Sequence, residues 1–292
     1  MSRPRDDLTR RLDVELVARG LARSRGQARD LVTGGAVLVD GQVRTKAAAT
    51  VHEGTRIELT REPDRWVSRA ALKLRHALEA WGPGDGSRAR ARTTARPRTT
   101  RRLLDPRGRR CLDVGASTGG FTQTLLAAGA ASVTALDVGH GQLVAELAAD
   151  PRVTDLPGTN IRDVRPGDLG APFDLVVADL SFISLELTLG PMRELTAQDG
   201  DLVVLVKPQF EVGRQRLGRD GIVTSPREHS RVLLEVHRLA KGLGLVVCGA
   251  LPSPIRGTAG NREFVLWLTR RAGDAGLDED DMLERMDLKA DS

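Results

Sequence analysis

Tyrosine is absent from this chain of 292 residues, and its aromatic side chains are limited to five Phe and three Trp. Cysteine occurs only at Cys111 and Cys248, each inside an apolar run. That usage excludes a disulfide framework and a cysteine-based metal site, and it predicts buried thiols. No apolar stretch approaches the roughly 20 residues of a membrane span, and the start, Met1 to Asp7, lacks the apolar centre of a signal peptide. A cytoplasmic protein with no membrane partner and no metal is expected.

Lysine is scarce as well. Of 44 basic residues, only Lys46, Lys73, Lys207, Lys241 and Lys289 are lysines, and arginine supplies every other positive charge. Arginine cannot release its proton in a protein, whereas a buried lysine among other charges can act as a base. Lys207 closes the apolar run Leu202–Val206, so it is either a surface lysine at a strand end or a candidate for chemistry.

What is present divides the chain. Residues 1–102 hold 23 Lys and Arg against 12 Asp and Glu, while residues 103–292 hold 21 against 27. A length of 292 residues predicts two domains, and the basic first third is suited to a polyanion. In that first third, Leu8, Leu12 and Leu16 with Val17 have helical spacing, and Gly20 offers a stop. Ser24 is placed to cap a second helix through Ala28, Leu31 and Val32, ended by Gly34 and Gly35. Strand-like runs follow at 36–39, 42–43 and 56–59, with an Asp40–Gly41 turn. Arg10, Arg11, Arg19, Arg23, Arg25 and Arg29 lie on or beside the two helices. The pattern from Leu12 to Gly41 resembles the αL RNA-binding motif of a small-subunit ribosomal protein, which implies that those arginines face structured RNA.

Residues 65–68 read as an interdomain linker after a first domain at 8–64, and Ser68 is placed to cap a helix through Lys73, Leu74, Ala77 and Leu78. Residues 83–102 form an Arg-rich insertion with no apolar face, expected to be disordered alone. It reads either as a flexible arm for phosphates or as a neutral insertion. From Arg110 onward, strand-like runs at 111–114, 132–136, 173–177, 202–206, 245–248 and 263–268 alternate with helical stretches. That order predicts an α/β, Rossmann-like domain over 69–272, with a parallel-rich sheet. An acidic tail at 273–292 carries Leu277, Met282, Leu283 and Met286 at the spacing of one amphipathic helix.

The sharpest motif runs from Asp113 through Gly115, Ala116, Ser117, Thr118, Gly119 and Gly120 at the first strand-to-helix turn. Glycines there let a ligand approach the backbone, at the position where open α/β sheets bind. The acid before the first glycine, with Ser117 in place of a second, resembles motif I of S-adenosylmethionine-dependent methyltransferases rather than a dinucleotide fingerprint. Asp137, ending the next strand, is placed to hold ribose hydroxyls or simply to cap a turn. Asp163 lies near the third strand end, within reach of an adenine. Asp179, Lys207 and Glu263 each fall at a strand end on the same sheet edge, and Lys73 joins them from the preceding helix.

Together these stretches resemble the TlyA (haemolysin A) family of ribosomal RNA 2′-O-methyltransferases, whose catalytic domain is similar to the FtsJ-type enzymes. The resemblance is carried by Trp66–Arg69 with Lys73, Leu112–Thr122, Ala178–Leu185, Val206–Gly213 and Gly260–Leu268. It implies a catalytic tetrad of Lys73, Asp179, Lys207 and Glu263, with S-adenosyl-L-methionine held by the glycine turn, Asp137, Asp163 and Asp179. A monomer acting on ribosomal subunits is expected, with cytidine in small- or large-subunit RNA as the target. Lys207 is the expected general base for the 2′-hydroxyl, its proton loosened by Lys73 and desolvation. Phe182, beside Asp179, is placed to stack on an extruded nucleotide or to pack as core. Two other classes are a non-catalytic ribosome-assembly factor, which the intact tetrad disfavours, and a membrane-active haemolysin, which the lack of a long apolar segment disfavours.

Overall fold

The computed structural model describes residues 9–62, 64–83, 103–213, 216–218, 220–271, 273 and 276–288. The Arg-rich stretch at 84–102 and the chain beyond 288 lie outside them.

The first part builds a small α+β unit. Strand β1 (Thr9–Arg11) leads into α1 (Leu12–Ala18) and α2 (Arg25–Thr33), followed by β2 (Val37–Val39), β3 (Gln42–Val43), β4 (Thr50–His52) and β5 (Ile57–Leu59). Ser24 caps α2 as expected, its hydroxyl accepting from the Gln27 amide at 3.1 Å. Leu12, Leu16, Ala28, Leu31 and Val32 close a core against β2. The β1–β4 ribbon is too short and too exposed to leave a periodic signal in the sequence.

The chain then forms α3 (Ala71–Trp81), β6 (Arg110–Val114), α4 (Gly120–Ala127), β7 (Ser132–Asp137), α5 (Ala145–Ala148), β8 (Val153–Pro157) and β9 (Phe173–Ala178). After these come α6 (Leu185–Leu195), β10 (Thr196–Val206), α7 (Pro208–Glu211), α8 (Pro226–Gly242), β11 (Val246–Pro252), β12 (Phe264–Thr269) and α9 (Glu279–Arg285). Seven strands make one sheet in the order β11-β12-β10-β9-β6-β7-β8, parallel except at β12. The expected parallel-rich sheet is therefore present. Its apolar strands bury both faces: Leu202, Val204 and Val206 point to one cluster, and Val203 and Leu205 to the other. Strand β8 has no such run because it is an edge strand with exposed residues.

Three local details differ from the sequence reading. Ser68 does not cap α3; its hydroxyl sits where a Cβ on Gly120 would fall. Cys111 is buried, but Cys248 is only half-buried. The stretch at 64–67 is no loose tether, because it is hydrogen-bonded on both sides. Gln27 Nε2 donates to the Asp64 and Trp66 carbonyls at 2.7 and 2.9 Å, and Ser24 Oγ donates to the Val67 carbonyl at 2.5 Å. From the other side, Gln123 Oε1 accepts from the Val67 amide at 2.9 Å. The acidic tail does form its expected helix, and Met282, Leu283 and Met286 join the main core.

Candidate active site

Strand β6 is the branch point of the sheet: β7 lies on one side of it and β9 on the other. Loops leaving β6 and β9 at their carboxyl ends therefore diverge and open a crevice, the position at which open α/β sheets take ligands. A cleft of about 1210 Å³ occupies that place. Gly115, Ala116, Ser117, Thr118 and Gly120 form one wall, and Asp179, Lys207, Glu263 and Lys73 line it as well.

Four charged side chains converge there from four elements. Lys73 comes from α3, Asp179 follows β9, Lys207 follows β10, and Glu263 precedes β12. Lys207 Nζ lies 2.6 Å from Asp179 Oδ1, and Lys73 Nζ lies 3.0 Å from Asp179 Oδ2 and 2.6 Å from Glu263 Oε2. The two 2.6 Å contacts are close ion pairs whose angles fall outside those of aligned hydrogen bonds. Lys73, Lys207 and Glu263 are all buried. Burial alone disfavours the Lys73 ammonium, but Asp179 and Glu263 outweigh it and hold that lysine above its ordinary pKa. Burial likewise opposes the Asp179 carboxylate, and the two lysines overcome it and draw its pKa down.

One element of the sequence reading changes here. Lys73 does not confront Lys207 directly, because Asp179 stands between them and Glu263 takes the other side of Lys73. Lys73 is thus a counter-ion shared by two carboxylates, while Lys207 has one carboxylate and the Ser181 hydroxyl, 2.9 Å away. Ser181 is a contact that the sequence did not single out.

The glycine turn meets its neighbours as much as a ligand. Gly115 has φ +84°, and a Cβ there would lie 3.0 Å from the Asp179 carbonyl oxygen. Asp113 is fully buried, with Oδ2 accepting from Thr122 Oγ1 at 2.7 Å and Oδ1 without a hydrogen-bond partner among the described residues. Burial pushes its carboxyl up to about 7. Asp137 accepts from the Ser117 and Gly139 amides, each at 2.8 Å, so its turn-capping role is realised. Gln142, unnoticed in the sequence, bridges Ser117 Oγ and Asp137 Oδ1 at 3.2 Å each. Asp163 stands exposed on its turn, and Arg162 rather than Asp163 lines the cleft.

Asp113, Asp137 and Asp179 surround a turn that holds no lysine or arginine from Gly115 to Gly120. The two acids at the open side of the turn, Asp137 and Asp179, suit a ligand with cationic groups and hydroxyls and repel a pyrophosphate.

The expected RNA face divides into bound and open arginines. Arg19 is committed internally, to Glu15 at 2.8 Å and to the Thr55 and Glu53 carbonyls at 2.6 and 2.8 Å. Arg23 donates to the Arg65 carbonyl at 2.8 Å. Arg11 and Arg25 balance the buried Asp13, and Arg10 stands 3.7 Å from Glu15. Arg29 is exposed and lines the cleft. Phe182 is not core: it is 91% exposed, beside Asp179.

Among the described residues no helix is long and apolar enough to cross a membrane. An FtsJ-like methyltransferase family model matches residues 66–270, and an S4 domain model matches residues 10–57. The chain is 46% identical over 259 residues to the Mycobacterium tuberculosis protein named 16S/23S rRNA (cytidine-2′-O)-methyltransferase TlyA, covering 88% of this chain and 89% of that one. It is 32% identical to Hemolysin A of Brachyspira hyodysenteriae, covering 87% and 98% of the two chains. A solved Streptococcus thermophilus structure, named as a presumed hemolysin, superposes with a TM-score of 0.71 at 34% identity, over 96% of this chain and 94% of that one. The chain belongs to the TlyA family of FtsJ-like methyltransferases, with an S4 domain ahead of the methyltransferase domain.

Proposed function

We propose that the protein transfers a methyl group from S-adenosyl-L-methionine to a ribose 2′-hydroxyl of ribosomal RNA, with cytidine as the target nucleoside. The observation that carries this reading is the Lys207–Asp179–Lys73–Glu263 network at the end of the glycine-turn cleft. The name of the M. tuberculosis relative supplies the base and the class of RNA. Residues 8–64 dock the RNA and residues 69–272 carry the reaction. The partner is a ribosomal subunit, met by a monomer in the cytoplasm.

When bound, S-adenosylmethionine supplies an electrophilic methyl on a sulfonium centre. Everything else falls to the chain. The turn at Gly115–Gly120 with Asp137 and Asp179 holds the cofactor, and Asp113 fastens the turn from beneath through Thr122. A ribose hydroxyl is a poor nucleophile until its proton leaves, so a base must lie within hydrogen-bond reach. Lys207 is that base in its neutral form. The ion pair with Asp179 and the contact with Ser181 describe the ammonium left after it has taken the proton. That proton leaves to solvent before the next turnover. Lys73, clamped between two carboxylates, fixes Asp179 in place instead of exchanging protons itself. Phe182 offers an open ring beside this centre for stacking on the target base.

The test is methylation of unmodified ribosomal subunits by the purified protein, read by mass spectrometry of the digested nucleosides. 2′-O-methylcytidine is expected. Its absence, or methylation on a base atom, refutes the reading.

A further inference from the structure

The loop between β9 and α6 presents the catalytic neighbourhood to the substrate, yet its own backbone is unfavourable. Phe182 has φ +64°, in the left-handed region that bulky residues avoid, and its ring is almost wholly in solvent. A free loop would relax Phe182 to an extended backbone and turn the ring inward. Something must hold it.

The segment after β10 makes three successive ties to that loop. Lys207 holds Asp179 and Ser181, Phe210 lies 5.2 Å from the Phe182 ring at a tilt of 48°, and Glu211 grips the far end. Glu211 Oε2 accepts from Ser184 Oγ at 2.6 Å and Oε1 accepts from the Leu185 amide at 3.0 Å. Ser184 Oγ meanwhile accepts from the Glu186 amide at 3.0 Å as the cap of α6, so its one proton is committed to Glu211. Both Glu211 oxygens are therefore used, and both fasten the point where the strained loop becomes helix. Burial pushes the Glu211 carboxyl above its ordinary range, a cost that a residue with no role would avoid by pointing to solvent.

We propose that Glu211 is a positioning residue for methyl transfer: it locks the 179–184 loop so that Ser181 stays on Lys207 and Phe182 stays on Phe210 with its outer face open to a base. The inference rests on the methyl-transfer reading and adds a residue that touches neither cofactor nor RNA. Its side chain acts through the loop.

Glu211→Gln keeps the volume and replaces one acceptor by a donor, which then faces Ser184 Oγ–H or Leu185 N–H. In the full chain, with unmodified ribosomal subunits and saturating S-adenosylmethionine, the single-turnover rate is expected to fall about 30-fold. Cofactor affinity should stay within about twofold, since no Glu211 contact reaches the glycine turn. Phe182→Ala supplies the readout that a merely structural role would not move. In that background Glu211→Gln should cost clearly less than about 30-fold, because one of the two parts it positions is gone. Ser184→Ala, which removes one of the two donors, serves the same cycle if Glu211→Gln does not fold. An active wild type with an unimpaired Glu211→Gln variant, or effects that multiply fully with Phe182→Ala, overturns this inference alone. A wild type that transfers nothing to the subunits overturns the methyl-transfer reading and this inference with it.

Discussion

Strand β10 carries one buried charge network at its middle and a second just past its end, and the two are made of different cations. At its middle, Asp201 is fully buried between Arg109, 2.6 Å away, and the Trp267 indole, 2.7 Å away. Just past its end, Lys207 meets Asp179, and Lys73 and Glu263 extend the chain of charge. The first network pairs a carboxylate with a guanidinium and an indole, neither of which exchanges protons at ordinary pH. It joins β10 to β12 and to the entry of β6. The second uses two of only five lysines, at the edge of a cleft. On the proposed mechanism Lys207 is the cation that moves a proton, a task that arginine in the first network could not perform.

That contrast is broken most directly at Lys207. Lys207→Ala is expected to lower methyl transfer at least about 10³-fold, while cofactor and RNA binding stay near wild type. At the middle of the strand the effects should reverse. Asp201→Ala leaves the Trp267 N–H and the Arg109 charge without that carboxylate, and is expected to cost about 4 kcal/mol in denaturant unfolding. Any activity lost should return at temperatures where the variant is fully folded.

A third buried carboxylate sharpens the contrast, because Asp113 has no cation. Its folded carboxyl stands at about 7, against an ordinary value of 3.8. Between those pH values the folded state keeps a proton that the unfolded state has lost, so stability falls as pH rises from 4 to 7. Asp179, drawn below its ordinary value by two lysines, acts in the opposite sense. Its stabilisation is present above pH 3.8 and is lost as pH falls through its folded value. Asp113→Asn is therefore expected to flatten the decline between pH 4 and 7, gaining on the order of 3 kcal/mol on wild type across that span. A gap between the two that does not change with pH would contradict the assignment.

The same division into structural and working charges is expected on the small domain, with smaller effects. Arg29→Ala should weaken RNA binding severalfold and lower its salt dependence by about one counter-ion, with no change in melting temperature. Arg19→Ala should do the reverse, because Arg19 ties α1 to the turn between β4 and β5. Equal behaviour of the two variants in both assays would erase the distinction.

The sequence made the working end of the sheet legible and left the structural end hidden. Asp179, Lys207 and Glu263 follow or precede apolar runs, so alternation and run ends placed them on one edge before any coordinates. Asp201 also precedes such a run, but nothing in its spacing shows that Arg109 and Trp267 come to it from 92 and 66 residues away. Strand β8 escaped for the opposite reason, since an exposed edge strand has little apolar signal. Glu211, Ser181 and Gln142 stood in plain view as residues, but their roles arise from loops brought together by the fold. The internal ties of Arg19 and the place of Ser68 were not legible, because a charge and a capping residue look alike whether they face solvent or a neighbouring group.

Replacing Lys207 by arginine puts the central claim to its most direct test. Arginine keeps the positive charge beside Asp179 and cannot serve as a base. Ribose methylation of ribosomal RNA is to be mapped after incubation of unmodified subunits with S-adenosylmethionine and either the wild type or Lys207→Arg. Wild type should install 2′-O-methylcytidine, and Lys207→Arg should bind the cofactor yet install none. Methylation by Lys207→Arg at the wild-type rate would show that the lysine serves only as a charge.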